Sequence, residues 1–172
     1  LKIRADLLRL EEGLRRAAAM PRSGLRLRGA PRKKTAAEEE LEPAISALGA
    51  EPKAAKDLRR IYEDRIERAA LLAGLKRAGK VVESLEGTLK APPGAPSLKE
   101  EEASWVDEEN AGRREIFRLF SERDPETIRI SGSTTVRTSG PNFAFVRAGL
   151  AEPGDWVQTE SGGWERASKG AP

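Results

Sequence analysis

Apolar residues recur at helical spacing in runs that proline or glycine closes, which restricts the chain to helices joined by short breaks. Ile3, Leu7, Leu10 and Leu14 step by four, three and four, the stripe of a short helix that Met20-Pro21 ends. Thr35 with Glu38 three residues on forms a capping box for a second helix, which Pro43 should break or kink and Gly49 should end. Pro52 suits the first turn of a third helix. Along it Leu58, Tyr62, Ile66, Ala69 and Ala73 align, and Ile61, Leu72 and Leu75 widen the face as far as Gly79. Residues 79–90 read as extended or irregular, with Gly87 allowing a turn, and APPGAP at 91–96 is a stiff linker.

Ser97 and Glu100 cap a fourth helix expected to reach about Ser121. Its inward side should carry Leu98, Trp105, Val106, Ile116, Phe117 and Phe120, interrupted by Asn110 and Arg113. Beyond Asp124, ISGSTTVRTSGPN reads as a long loop with a short strand at Thr134–Arg137, followed by a short helix at Asn142–Leu150. The expected class is mainly α: a small helical domain with a C-terminal β-hairpin and a basic, partly irregular N-terminal extension, divided as 1–50 and 51–172.

Composition removes several chemistries. With neither cysteine nor histidine, the chain has no disulfide, no thiolate metal site and no Ser/His/Asp triad. No run approaches the roughly 18 apolar residues of a membrane span. Leu at position 1 reads as a processed form or a piece of a longer chain. Net charge is +3, but residues 1–34 hold eleven Lys/Arg against three Asp/Glu, so a basic arm precedes a mildly acidic body. Its cations between helices are Arg22, Arg26, Arg28, Arg32, Lys33 and Lys34. They suit anionic lipid or an acidic protein surface, or stay solvated; without interleaved aromatics, nucleic acid is disfavoured.

Two tempting motifs fail. GLKRAGKV (74–81) approaches a phosphate-binding loop around Lys80, but Val81 stands where a metal-binding hydroxyl is needed, and a helix precedes it where a strand should. Asp107-Glu108-Glu109 reads as a solvated face, because consecutive helical positions diverge. No catalytic set, metal site or cofactor site is expected. Asn110 and Arg113 on an apolar stripe need partners: they either tie down a neighbouring loop or bind a ligand.

WVQTESGGWER (156–166) has the alternation and glycine turn of a β-hairpin. A three-residue loop, Ser161-Gly162-Gly163, sets Glu160 opposite Trp164 and puts Trp156 and Trp164 on one face. That face should lie on the helices, either stapling the fold or covering a groove for a ligand or partner. Candidate binding residues are therefore Asn110, Arg113, Trp156, Gln158 and Trp164.

Three blocks together, GKVVESLEGTL (79–89), ENAGR (109–113) and AEPGDWVQ…GGW (151–164), resemble the YdbL family of small bacterial envelope proteins, a domain of unknown function. The resemblance spans roughly residues 55–168 and matches Gly79, Glu83, Gly87, Asn110, Arg113, Trp156 and Trp164 to the family's motif positions. Val82 departs from it, standing where the family has Gly, and the loop at 131–140 replaces a helix. The resemblance implies a secreted protein or lipoprotein, periplasmic or membrane-associated on that side, working with AsmA-like lipid-bridging machinery without catalysis. The expected function is a non-catalytic accessory or chaperone-like subunit of an envelope assembly, whose partners are other envelope or membrane-complex proteins. The alternative is a structural subunit built into a large membrane complex and ordered by its neighbours.

Overall fold

The computed structural model describes residues 2–19, 36–123, 135–159 and 161–167. Among the described residues, five helices and a small mixed sheet make up the fold: α1 (Lys2–Ala19), α2 (Ala36–Ala47), α3 (Pro52–Arg77), β1 (Val82–Glu83), β2 (Leu89–Lys90), α4 (Glu100–Arg123), α5 (Thr135–Gly149), β3 (Trp156–Gln158) and β4 (Trp164–Arg166). The basic-arm cations at 22–34 lie outside the described residues.

The α1 stripe is buried as its spacing requires, from Ile3 to Leu14, and joins one cluster with Leu41 and Ile45 of α2 and Leu48 just beyond it. Pro43 sits inside α2 on its exposed side. Pro52 opens α3 in the first turn, where its missing N–H has no helical acceptor to lose. One core cluster joins Leu7 and Leu10, Ile45, Leu58 and Tyr62, Ile116 and Phe117, and Phe143 and Val146, drawing on all five helices. Phe117 and Phe143 meet edge to face, centroids 5.3 Å apart. A second, smaller cluster places Leu72, Leu75, Val81, Leu89 and Val106 beneath the sheet, with Leu98 and Trp105 packed against it.

α3 ends in a Schellman closure: Gly79 N–H donates to the Lys76 carbonyl at 2.9 Å and Lys80 N–H to that of Leu75 at 3.0 Å, with Gly79 at φ 69°. GLKRAGKV is therefore a helix end feeding a strand, and Lys80 is held by Glu102 through two contacts of 2.7 and 2.9 Å.

The stretch after Gly79 becomes a hairpin, with Val82 opposite Lys90 and Glu83 opposite Leu89. Strand order is β2-β1-β3-β4, with β1 and β3 parallel and both outer pairs antiparallel. In the C-terminal hairpin Thr159 N–H donates to Gly163 O at 2.9 Å, with Gly162 at φ 84°. The turn is thus one residue earlier than the spacing suggested, and Trp164 lies opposite Gln158 rather than Glu160. Pairing slides by an even number, so Trp156 and Trp164 still share a face. That face is half-exposed rather than sealed onto the helices. The ribbon is anchored by its parallel pairing to β1, not by buried indoles.

The Ser/Thr/Gly-rich segment is helical from Thr135, where a loop with a strand was expected. Burial of Phe143, Ala144 and Val146 overrides the local preference of its first half. Gly140 in this helix rests on the β1–β2 turn: a Cβ on Gly87 would lie 2.5 Å from the Gly140 carbonyl oxygen and 2.9 Å from Phe117. Gly87 also has φ 79°, whereas Gly94, at φ 76°, has open space around it. Gly94→Ala should therefore cost about 1 kcal/mol, from backbone strain alone. Gly87→Ala should cost about 3 kcal/mol, since a backbone clash is added. Urea midpoints of the two variants measure the difference.

Candidate functional site

Charged residues occupy positions on the inward stripes of the helices, and they meet at the centre of the fold. On α4, Glu109 and Arg113 are four residues apart and share a face, and Arg113 Nε donates to Glu109 Oε1 at 2.8 Å. From α3, Arg65 Nε donates to the same oxygen at 3.0 Å, while its Nη1 and Nη2 grip Glu11 of α1 at 2.6 and 3.0 Å. Arg113 then grips Glu83 of β1, at 2.5 Å through Nη1 and 3.2 Å through Nη2. Arg147 of α5 closes the circuit, reaching Glu83 Oε1 and Glu11 Oε2 at 3.2 Å each.

The result is a closed ring, Glu11–Arg65–Glu109–Arg113–Glu83–Arg147, in which acid and base alternate across five elements. The Phe143 ring lies under two of the guanidiniums, 5.3 Å from Arg65 and 5.1 Å from Arg113. Two further groups attach at the rim: the Tyr62 hydroxyl donates to Glu11 at 2.8 Å, and the Lys76 ammonium bonds Glu83.

Burial by itself would raise the carboxylates, but their neighbours outweigh it. Arg65 holds Glu11 below its ordinary range, and Arg113 with Lys76 holds Glu83 well below it. Burial also opposes ionisation of Glu109, yet Arg65 and Arg113 bring it from an ordinary 4.5 to about 2. Lys76 is shifted down by burial, with Glu83 pulling it back up. The ring is a set of fixed, paired charges, a framework in which Glu109 Oε1 is shared by two guanidiniums while its buried Oε2 has no hydrogen-bond partner among the described residues. Glu109 thus faces inward, contrary to the solvated acidic face expected at 107–109: it falls three residues after buried Val106 and joins that stripe.

The five candidate binding residues converge on the β1–β2 hairpin and its extension. Asn110 secures β2 twice, accepting from Leu89 N–H at 2.7 Å and donating to Leu89 O at 3.0 Å. Arg113 adds a bond to the Gly87 carbonyl at 3.1 Å. From the other side, Gln158 accepts the Leu85 N–H at 3.0 Å. Trp156 stands beside Gly79 and carries the Arg166 guanidinium 4.7 Å over its ring. Trp164 shares this face on the outer strand. An open groove of about 270 Å³, lined by Leu48, Leu58, Leu119 and Phe120 together with charged residues such as Asp57 and Arg118, lies at the other end of α4 and involves none of these residues.

Comparison with protein-family models, with curated protein sequences and with solved structures finds no match.

Two outcomes test the ring. Removing Arg113 leaves Glu83 and Glu109 each short of a partner, so Arg113→Leu should destabilise by about 3–5 kcal/mol in chemical denaturation. Acid should act on the same groups. A depressed carboxylate contributes stability above its unfolded value and loses it as pH falls through its folded value. The contribution of Glu109 should therefore fade between pH 4.5 and about 2. Stability measured across that interval should fall less steeply in Glu109→Gln than in the parent.

Proposed function

We propose that the chain is a non-catalytic accessory or chaperone-like subunit of a bacterial envelope assembly on the periplasmic side, of YdbL-like type, which docks partners through the free edge of its C-terminal hairpin. One observation carries this reading. The three sequence blocks behind the YdbL resemblance, distant along the chain, bind one another as a unit: Asn110 to Leu89, Arg113 to Glu83 and Gly87, Gln158 to Leu85. That unit ends in an edge strand.

Thr159 N–H bonds Gly163 O and Ala167 N–H bonds Asp155 O, so main-chain groups of the odd-numbered residues on β4 point at β3. Alternation turns those of Trp164 and Arg166 outward. An extended partner segment could add there by main-chain pairing, with the half-exposed indoles beside it. The closed charge ring supports a framework role. The rival, a subunit ordered only by its neighbours, is disfavoured by a core that draws on all five helices, and a sharp cooperative melt of the free chain would count against it. No described helix is long and apolar enough to cross a membrane.

A photo-crosslinker at Glu165, used in cells carrying the protein, tests the edge. A discrete adduct in the envelope fraction is expected. It should survive Arg166→Ala, which keeps the outward N–H, and vanish in Arg166→Pro, which removes it without breaking a bond to β3. An adduct equally strong in both variants, or a chain found only in the cytosolic fraction, overturns the proposal.

A further inference from the structure

The C-terminal part of α5 carries apolar side chains on both its inner and its outer side. Among the described side chains of this helix, Phe143, Ala144 and Val146 face the core, yet the exposed ones are Pro141, Phe145 and Ala148, with Phe145 59% exposed. The helix alongside supplies cations. Arg4 of α1 donates to Asn142 at 2.7 Å and stacks 4.0 Å over the Phe145 ring. Leu8, 39% exposed, and Arg15 follow Arg4 on the same side of α1. Lys2, Arg9 and Arg16 also stand on the exposed face of α1, where Glu12 is the acidic residue. Of these, Arg16 is engaged by Glu40 and Arg9 reaches Asp6 at 3.5 Å. The surface is therefore a strip of exposed apolar side chains bordered by arginines and lysine.

We infer that this α1–α5 face is a docking surface for an anionic phospholipid bilayer, with Phe145 and Leu8 entering the headgroup boundary and Arg4, Arg15 and Lys2 meeting lipid phosphates. Charge complementarity selects the anionic surface. Lipid suits this face better than protein, because a bilayer accepts protruding side chains such as Phe145 and Leu8 without a matching shape, whereas a protein partner needs a complementary pocket for each anchor. Leu8 and Ala148 have no use against nucleic acid, where stacking and phosphate contacts dominate. The mode is peripheral, and it is independent of whichever protein occupies the sheet edge.

Flotation of the full chain with vesicles of phosphatidylcholine alone, or with phosphatidylglycerol added, tests the assignment. Binding is expected only with phosphatidylglycerol. Phe145→Ser, a change at an exposed site, should lower the bound-to-free ratio about tenfold. Arg15→Glu should lower it comparably and weaken its salt dependence. The lack of native cysteine allows a single label: an environment-sensitive dye at Leu8→Cys should shift to the blue on the anionic vesicles, and one at Asp107→Cys should not. Replacing the six arm cations by Gln should leave the Phe145 and Leu8 effects in place. The inference is overturned if the arm variant abolishes binding while Phe145→Ser and Arg15→Glu bind like the parent. It is equally overturned if no vesicle is bound and the Leu8 dye stays unshifted, or if polyglutamate or duplex DNA is bound with the same dependence on Phe145.

Discussion

The fold depends on a ring of alternating charges buried where five elements meet. Glu11, Arg65, Glu109, Arg113, Glu83 and Arg147 each face two opposite charges, and no neighbour in the ring comes from the same element except Glu109 and Arg113. Withdrawing any element strands two ions in a medium that solvates them badly. The arrangement therefore penalises partial assembly. α1 cannot leave without exposing Arg65 and Arg147 to one another, and β1 cannot detach without releasing Arg113 and Lys76. Such a ring adds little to stability compared with a well-packed apolar core of equal volume. What it contributes is discrimination among packings, which a chain with few aromatics has few other means to achieve.

The sheet follows from the ring. Two-residue strands cannot hold themselves together, yet Val82–Glu83 is fixed at both residues: Val82 is fully buried, and Glu83 is clamped by Arg113, Arg147 and Lys76. Gly87 and Gly140 then let α5 lie directly on the turn. With β1 immobilised, β3 has a fixed template, and the C-terminal ribbon needs only its parallel pairing and the Gln158 bridge to Leu85 to stay in place. Half-exposed tryptophans are thus a consequence of anchorage through the backbone, with Arg166 stacked over the Trp156 ring.

Much of this was legible in the residues. The α1 stripe, the Pro52 start of α3, the inward side of α4 and the hairpin with both indoles on one face all follow from spacing and turn chemistry. Asn110 was readable as a residue needing partners, and its two bonds to Leu89 supply them. The ring was readable in principle: Arg65 stands seven residues after Leu58 and Glu11 four after Leu7, both in register with buried stripes. What hid it is the habit of assigning charges to solvent, most of all at Glu109, where two exposed acidic neighbours disguise an inward position. Which carboxylate meets which guanidinium depends on contacts between residues far apart in the chain, and no local pattern encodes them.

The helix expected at Asn142–Leu150 is the second half of α5; its first half was misread for a different reason, and it is the more informative one. Its first half is rich in Thr, Ser, Gly and Pro, which favour turns, and its second half, besides Asn142 and Arg147, carries apolar side chains on two sides rather than along one stripe. A helix of that kind belongs in an interior, and only one of its sides is interior here. The inward side is accounted for by Phe143 against Phe117 and the two guanidiniums, and by Arg147 closing the ring. Nothing in those contacts requires Phe145. Phe145 stands 59% exposed beneath Arg4, on a helix whose other exposed side chains, among the described residues, are Pro141 and Ala148. Folding alone would tolerate polar residues at all three positions. Their apolar character is best understood as a property of the surface, and the cations lining the adjoining face of α1 fix the chemistry of what that surface meets.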